Sequence, residues 1–209
     1  MVKIGIGCTT FNRPECLAKW KEQIAKHTNM DNVLIYIADD SLERKGVAFR
    51  KNECLRALKD CDYVFLFDDD CYPIKDGWVD FFIESRTHHL LFMNEKFHGK
   101  GEEKDGIVYY KNCGGVFMFI EKIDCLDVVG AFNENFEMWG FEHAEYTNRA
   151  MDLQRDCYPM LKGTEDYLYS EDYSNPVHKS SITNEEKNEL FKKNFPKFAK
   201  GIDKIYIPL

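Results

Sequence analysis

The sequence predicts an α/β fold with a mostly parallel, mixed central sheet flanked by helices, and three observations predict it. Three short apolar runs, "KIGIGCTT", "NVLIYIADD" and "YVFLFDDD", are rich in β-branched and aromatic residues, and each stops at polar side chains, as buried parallel strands do. Amphipathic helical patterns lie between them, giving a βαβαβ series. The polar ends fall together where an open α/β sheet binds ligands, at the carboxyl ends of its strands: Thr9 and Thr10, then Asp39 and Asp40, then Asp68 to Asp70.

The elements follow in order. After the first strand Asn12 is placed to cap a helix with Pro14 in its first turn, and Leu17, Trp20 and Ile24 recur on one helical face. The second helix, "GVAFRKNECLRALKDC", puts Ala48, Leu55 and Leu58 near one stripe, with basic groups elsewhere. Beyond the third strand, a helix led by Asp76 and Gly77 carries Trp78, Phe81 and Phe82, and "LLFMN" reads as a further strand. "EKFHGKGEEKDG" is charged, glycine-rich and without apolar period, which is the pattern of an exposed loop or lid. "IVYY" and "GGVFMFI" follow as strands and "EHAEYTNRAMDL" as a helix. With 209 residues, no repeat and no low-complexity tract, residues 1–209 read as one domain.

Composition narrows the partners. A net charge of −8 argues against a protein that tracks nucleic-acid phosphates, so no nucleic-acid partner is expected. The lysine-rich "KKNFPKFAKGIDK" is the local exception and reads as a solvated helix end and tail. Eight cysteines without a CxxC pair, several inside apolar runs, suit reduced buried thiols and hence a cytoplasmic location. No apolar run approaches the roughly 18 residues of a spanning helix, and "MVKIGIGC" is too short for a signal segment. No transmembrane segment is expected.

"FLFDDDCYP" poses the chemical question. Three neighbouring carboxylates repel, raise one another's pKa and make burial expensive, unless a cation compensates them or water reaches all three. The order of segments around it answers in favour of a cation. "TTFNRPECL", "ADDS", "GVAFRKNECLRAL", "FLFDDDCYP", and "GGVFMFI" with "VGAFNENFEMWGFEHAEYTNR", spanning roughly residues 2 to 150, resemble the ordered motifs of the GT-A glycosyltransferases, particularly the large inverting class called family 2. The composition is also similar to that of glycosyltransferase domains of large DNA viruses of algae, which would place the chain in a host cytoplasm.

The resemblance implies a GT-A (Rossmann-like) domain, with residues 1–95 as the nucleotide-sugar-binding half and 96–209 as the acceptor-binding half with a C-terminal segment. It implies a hexosyltransferase-like enzyme that moves a sugar from a nucleotide-sugar donor, a UDP-sugar, to a carbohydrate or glycoprotein acceptor. The expected cofactor is Mn²⁺ or Mg²⁺, which suits carboxylates and neutralises the departing diphosphate. By the same resemblance Asp70 ligates the metal, while Asp68 faces the donor ribose or metal-bound waters. Asp69 would lie between them, on the opposite face of an extended strand. Thr9 and Arg13 flank the nucleotide, Asp39 accepts a hydrogen bond from the uracil ring, and Arg50 or Lys51 faces the base or the phosphates. Each has a plainer reading: Thr9 as a strand end, Asp39 and Asp40 in an Asx turn, Arg50 on a solvated helix face.

The acceptor segment departs from the family pattern. Where inverting members carry Glu-Asp, this chain reads Glu142-His143. A neutral His143 can accept the acceptor's proton, as can Glu142 or Glu145 if desolvated. Loss of the carboxylate equally fits a retaining enzyme whose leaving phosphate is the base, so stereochemistry stays open. Trp139 and Trp78 either stack on sugar rings or fill core. In "SNPVHKSS", Ser174 to Ser181, His178 is a candidate second metal ligand of the kind some GT-A enzymes supply from a C-terminal segment. Pro176 would stiffen the approach, and Lys179 would reach the diphosphate.

Other classes fit less well. A HAD-type phosphatase needs its Asp-x-Asp at the end of the first strand, and a nucleotidyltransferase needs more glycine and basic residues than "GIGCTTFNR" holds. A P-loop kinase needs GxxxxGK[ST], which is missing. The remaining alternative is a nucleotide-sugar or glycan-binding module without turnover.

Overall fold

The computed structural model of the chain describes residues 1–111, 113–151, 157–175, 178, 180, 182–200 and 206–209, and of Phe97 the backbone alone. Strand β1 (Ile4–Thr10) is buried along its whole length and pairs in parallel with β2 (Val33–Asp39) on one side and β3 (Tyr63–Asp68) on the other. Helices α1 (Pro14–His27) and α2 (Val47–Leu58) make the crossovers. Because strand side chains alternate between faces, Phe65 and Phe67 join Trp20 and Ile24 of α1 in one core. Val64 and Leu66 join Ala48, Leu55 and Leu58 of α2 in the other. Around β1 and β3 the sheet is therefore apolar and covered on both faces, which explains their continuous apolar runs, whereas the edge strand β2 leaves Leu34 and Tyr36 exposed.

The chain continues through β4 (Cys71–Pro73), α3 (Trp78–Ile83), β5 (His89–Leu91), α4 (Glu95–His98), β6 (Glu102–Lys104), β7 (Ile107–Tyr110) and β8 (Phe117–Glu121). A π-helical turn over Lys122–Leu126 leads into α5 (Asp127–Val129) and α6 (Glu142–Met151). Then come β9 (Tyr158–Leu161), β10 (Leu168–Ser170), α7 (Glu171–Ser174) and α8 (Asn184–Ala199). The main sheet runs β2-β1-β3-β8-β5-β9-β7-β6. It is parallel where β1 meets β2 and β3 and where β5 meets β9, and antiparallel elsewhere. The mostly parallel expectation thus holds for the first three strands, whereas the second half joins mainly through antiparallel ladders, of which β6–β7 is a hairpin. Strand β8, from the second half, lies between β3 and β5, so one sheet unites residues 1–95 with those that follow.

Several local expectations change. Asn12 is not the cap: it sits at φ 52°, where Asn is tolerated, and donates its N–H to Ser41 Oγ, while Arg13 holds the cap position and Pro14 the first turn. The expected strand "LLFMN" begins a residue earlier and ends at Leu91. The charged stretch read as a loop holds α4 and β6, and β6 pairs with β7 at the sheet edge, where exposed charges are favoured. Of the expected helix "EHAEYTNRAMDL", Asp152 and Leu153 lie outside the described residues, as do Pro176, Lys179 and Ser181. A separate two-stranded ladder joins β10 antiparallel to β4, with Ser170 opposite Cys71, directly after the three aspartates.

Candidate functional site

Asp68 is the last residue of β3, and Asp69 and Asp70 form the turn into β4. This corrects the extended-strand placement of Asp69. In a turn the alternation of side chains is lost, and both Asp69 and Asp70 close on one guanidinium, that of Arg13. Its Nη2 pairs with Asp69 Oδ1, and its Nη1 lies 2.5 Å from Asp70 Oδ2. Thr10 Oγ1 donates to Asp69 Oδ2 at 2.5 Å. Burial raises the Asp69 carboxyl to about 7, with Arg13 and Thr10 offsetting part of the effect and the neighbouring aspartates adding to it. Burial also raises Asp70, with Arg13 opposing and Asp172 and Asp68 reinforcing. Asp69 and Asp70 thus share one guanidinium between two carboxylates.

The ladder between β4 and β10 brings the missing partners. The N–H of Glu171 donates to the Asp70 carbonyl at 2.9 Å, and Tyr72 Oη donates to Glu171 Oε1 at 2.9 Å, which fixes α7 over the turn. Asp172 and His178 then approach Asp70. His178 Nε2 is 3.1 Å from Asp70 Oδ2 and 3.6 Å from Asp172 Oδ1, and the three ligand atoms lie within 4.8 Å of one another. Asp70 Oδ1 is buried and has no hydrogen-bond partner among the described residues. Two carboxylates and an imidazole that converge beside an orphaned carboxylate oxygen form a donor set for a divalent cation such as Mn²⁺. Asp172 escaped the sequence reading; its signal was an acidic residue six positions before His178.

A cleft opens on this cluster. Of the expected site residues, Thr9, Arg13, Arg50, Asp68 and Asp70 line it. Phe11, Met138 and Trp139 supply apolar wall that the sequence did not assign to the site, apart from Trp139, and Lys187 Nζ sits 5.7 Å from the Trp139 ring centroid. Trp78 instead fills core, donating Nε1–H to Thr28 Oγ1.

Asp39 is exposed and caps its own turn, accepting from the Ser41 N–H and hydroxyl at 2.8 and 2.5 Å, so the Asx-turn reading describes it. It is Asp40 that faces the cleft, buried, accepting from the N–H groups of Lys45 and Gly46 and from Arg50 Nε at 2.9 Å. Arg50 also pairs with Glu53, and it is buried in the cleft lining rather than solvated on a helix face.

Lys51 is fully buried and bridges the two sides of the site. Its Nζ donates to Asp68 Oδ1 at 2.9 Å and lies 2.7 Å from His143 Nε2. Burial would raise Asp68, yet Lys51 and His143, with the Thr9 hydroxyl, hold it below the usual carboxylate range. His143 Nδ1 lies 2.7 Å from Glu142 Oε1 at the start of α6. Burial likewise opposes ionisation of Glu142, and His143 and Lys51 overcome it. Glu145 is taken up in a two-pronged ion pair with Arg149, which also holds the carbonyls of Val129 and Ala131, and so is spent on structure. Lys51, Asp69, Glu142 and His143 sit behind the cleft wall rather than on it.

No protein-family model matches the chain, and no curated protein matches it by sequence. Solved structures do match. A mannosyltransferase from Pyrobaculum calidifontis, in complex with GDP-Man and Mn²⁺, superposes with TM-score 0.62 at 12% identity over 96% of this chain and 65% of its own. S. aureus TarS, residues 1–349, superposes with TM-score 0.59 at 12% identity over 93% of this chain and 72% of its own. GalNAc-T7 with UDP, GalNAc and Mn²⁺ gives TM-score 0.57 at 10% identity over 77% of this chain and 42% of its own. The chain spans 44% of the length of the longer TarS structure it matches. The mixed sheet, its flanking helices and these superpositions make the fold GT-A.

Proposed function

We propose that this protein is a metal-dependent glycosyltransferase that moves a sugar from a nucleoside-diphosphate sugar, a UDP-sugar, to a hydroxyl of a glycan or glycoprotein. The observation that carries the reading is the Asp70–Asp172–His178 cluster, set at the carboxyl end of β3 on a cleft lined by Thr9, Arg13 and Arg50. It is supported by GT-A neighbours that hold Mn²⁺ with UDP and GalNAc or with GDP-Man.

In this reading Asp70 and His178 would hold a divalent cation with Asp172 beside them, and the cation would supply Lewis-acid neutralisation of the departing diphosphate. Arg13, which pairs with Asp69 and Asp70 at the cleft, would offer its guanidinium to the diphosphate oxygens. Of the residues that line the cleft, Thr9 and Asp68 would face the ribose, Phe11 and the Arg50–Asp40 pair would flank the base, and Trp139 would lie towards the sugar. The Glu142–His143 pair serves the acceptor hydroxyl. The free thiols are consistent with a reducing compartment, which we read as cytoplasm. No helix among the described residues is long and apolar enough to cross a membrane.

The test is release of UDP from a panel of UDP-sugars with Mn²⁺, Mg²⁺ or chelator, with and without glycan acceptors. Metal-dependent release, increased by an acceptor, supports transfer. Binding of UDP-sugars with no release under any metal would leave a binding module, and no metal-dependent binding of any nucleotide sugar would overturn the proposal.

A further inference from the structure

At the carboxyl end of β2, the end of the cleft farther along the sheet from Asp70, the carboxylates are already engaged. Asp39 lies outside the cleft lining and spends Oδ1 on the N–H and hydroxyl of Ser41. Asp40 reaches the lining, but three donors hold its carboxylate in the turn: Oδ1 accepts the Lys45 N–H at 2.6 Å and Arg50 Nε at 2.9 Å, and Oδ2 accepts the Gly46 N–H at 2.8 Å. Arg50 is taken up in turn by Asp40, Glu43 and Glu53. A ring N–H of a nucleobase thus finds no carboxylate set aside for it.

Arg44 is placed differently. Its guanidinium carbon lies 5.2 Å from the Phe11 ring centroid, and Nη2 donates to Glu186 Oε1 at 2.8 Å, while Glu186 Oε2 accepts the Thr183 N–H at the start of α8. A guanidinium carries five N–H donors and no acceptor. The Phe11 ring and Glu186 are the side-chain partners Arg44 has among the described residues, so its head is held in the cleft lining with N–H donors to spare. The backbone points the same way. Arg44 sits at φ +48°, a left-handed conformation that is uncommon for a long side chain and free of strain for glycine, so what the position gains from arginine is the guanidinium.

Resting on the UDP-sugar reading, we propose that Arg44 is the specificity-determining residue for the nucleobase: it donates to the O4 carbonyl of uracil, and the uracil N3–H meets no carboxylate. The chemistry follows from a side chain that can only donate. Position 4 of uracil, as of thymine, is a carbonyl acceptor, whereas position 4 of cytosine is an amino donor. Two donors face to face leave both unpaired, so the guanidinium that binds uracil rejects cytosine. Phe11 offers the apolar ring beside the polar edge, and Glu186 fixes the guanidinium from α8. A carboxylate that accepted the N3–H would also reject cytosine, whose N3 is an acceptor, and methylation of N3 separates the two modes of recognition.

The test reads binding and needs no turnover: isothermal titration of UDP, N3-methyl-UDP and CDP, each with Mn²⁺, into the wild-type protein and into Arg44→Gly. Glycine suits φ +48°, so this variant removes the guanidinium without straining the backbone. The wild type is expected to bind UDP about tenfold more tightly than CDP, the share of one hydrogen bond from a charged donor, and to bind N3-methyl-UDP nearly as tightly as UDP. Arg44→Gly is expected to bring UDP down to the affinity of CDP, whereas a merely structural loss would weaken both alike. An unchanged ratio of UDP to CDP affinity in Arg44→Gly would overturn the role of Arg44. A loss on N3-methylation as large as that on passing to CDP would return the base to a carboxylate. If the wild type binds none of the three, the glycosyltransferase reading itself fails, whereas UDP binding with the ratio unmoved by the variant overturns this inference alone.

Discussion

Asp70 carries the most consequential single charge in the site. At 2% exposure it shares Arg13 with Asp69 and is pushed towards protonation by burial and by Asp172 and Asp68. Asp70→Asn keeps the shape and removes one of the crowded charges, so the metal-free melting temperature is expected to change little: the lost ion pair with Arg13 and the relieved repulsion act in opposite directions. What disappears is the stabilisation by UDP with Mn²⁺, about 2.7 kcal/mol at a hundredfold excess over Kd in a binding-competent protein. A thermal-shift series with Mn²⁺, UDP and both together reads this directly, and an undiminished Mn²⁺-dependent shift would remove Asp70 from the metal site.

His89 reports on pH at the same scale. It is wholly buried under β8 and α6, with Nδ1 against the Phe119 carbonyl and Nε2 against Thr147 Oγ1, and burial lowers its pKa to about 3. The unfolded chain binds a proton at this residue below about 6.5. Between those values the unfolded state therefore holds one proton more, so stability rises with pH and is lost on acidification. His89→Gln is expected to flatten the curve of unfolding free energy between pH 4 and 6 by about 1.4 kcal/mol per pH unit, measured by urea titration.

At the scale of elements, the turn between β2 and α2 is a single device. Asp40 receives the N–H groups of Lys45 and Gly46 and the Arg50 side chain, which starts α2 where Arg50 and Lys51 must enter the site. Gly46 has φ +97°, and a Cβ there would collide with the backbone carbonyl of Glu137. Neither strain nor clash can be relieved by a side-chain move. Gly46→Ala is therefore expected to destabilise by about 1–3 kcal/mol, and to weaken nucleotide binding because it shifts Arg50. Urea unfolding and UDP titration measure the two effects.

At the scale of the whole molecule, the cleft depends on a distant helix. A Thr183–Glu186 capping box starts α8, and Asn194, completely buried, donates to the carbonyls of Phe136 and Trp139 at 2.6 and 2.8 Å. Phe198 packs into the core on the α2 face, stacked on Phe141. The segment that carries Met138 and Trp139 to the cleft wall is thus held from behind. Asn194→Ala leaves two buried carbonyls short of a donor and is expected to cost about 1–3 kcal/mol. Under the proposed function it is also expected to raise donor KM severalfold with a smaller change in kcat, since Asn194 holds the wall segment of Phe136 to Trp139. An unchanged donor KM in a folded, destabilised variant would separate α8 from the site.

Local pattern was enough for part of this molecule. The apolar runs of β1 to β3, the stripe of Trp20 and Ile24, and the crowding of Asp68 to Asp70 are properties of neighbouring residues, so period and composition exposed them. The strand ends, where an α/β sheet binds ligands, pointed to Thr9, Asp68 and Asp70, and the resemblance to GT-A motifs added Arg13 and Arg50; all five line one cleft. Only the tertiary structure decided the rest. The β4–β10 ladder joins residues about a hundred positions apart, and it alone sets Asp172 beside Asp70 and His178. The turn at Asp69 and Asp70, the choice of Asp40 over Asp39 for the cleft, and the path from Lys51 through His143 to Glu142 depend on which atoms meet across the sheet. No spacing along the chain records that, because hydrogen-bond partners distant in sequence are selected by packing and not by period.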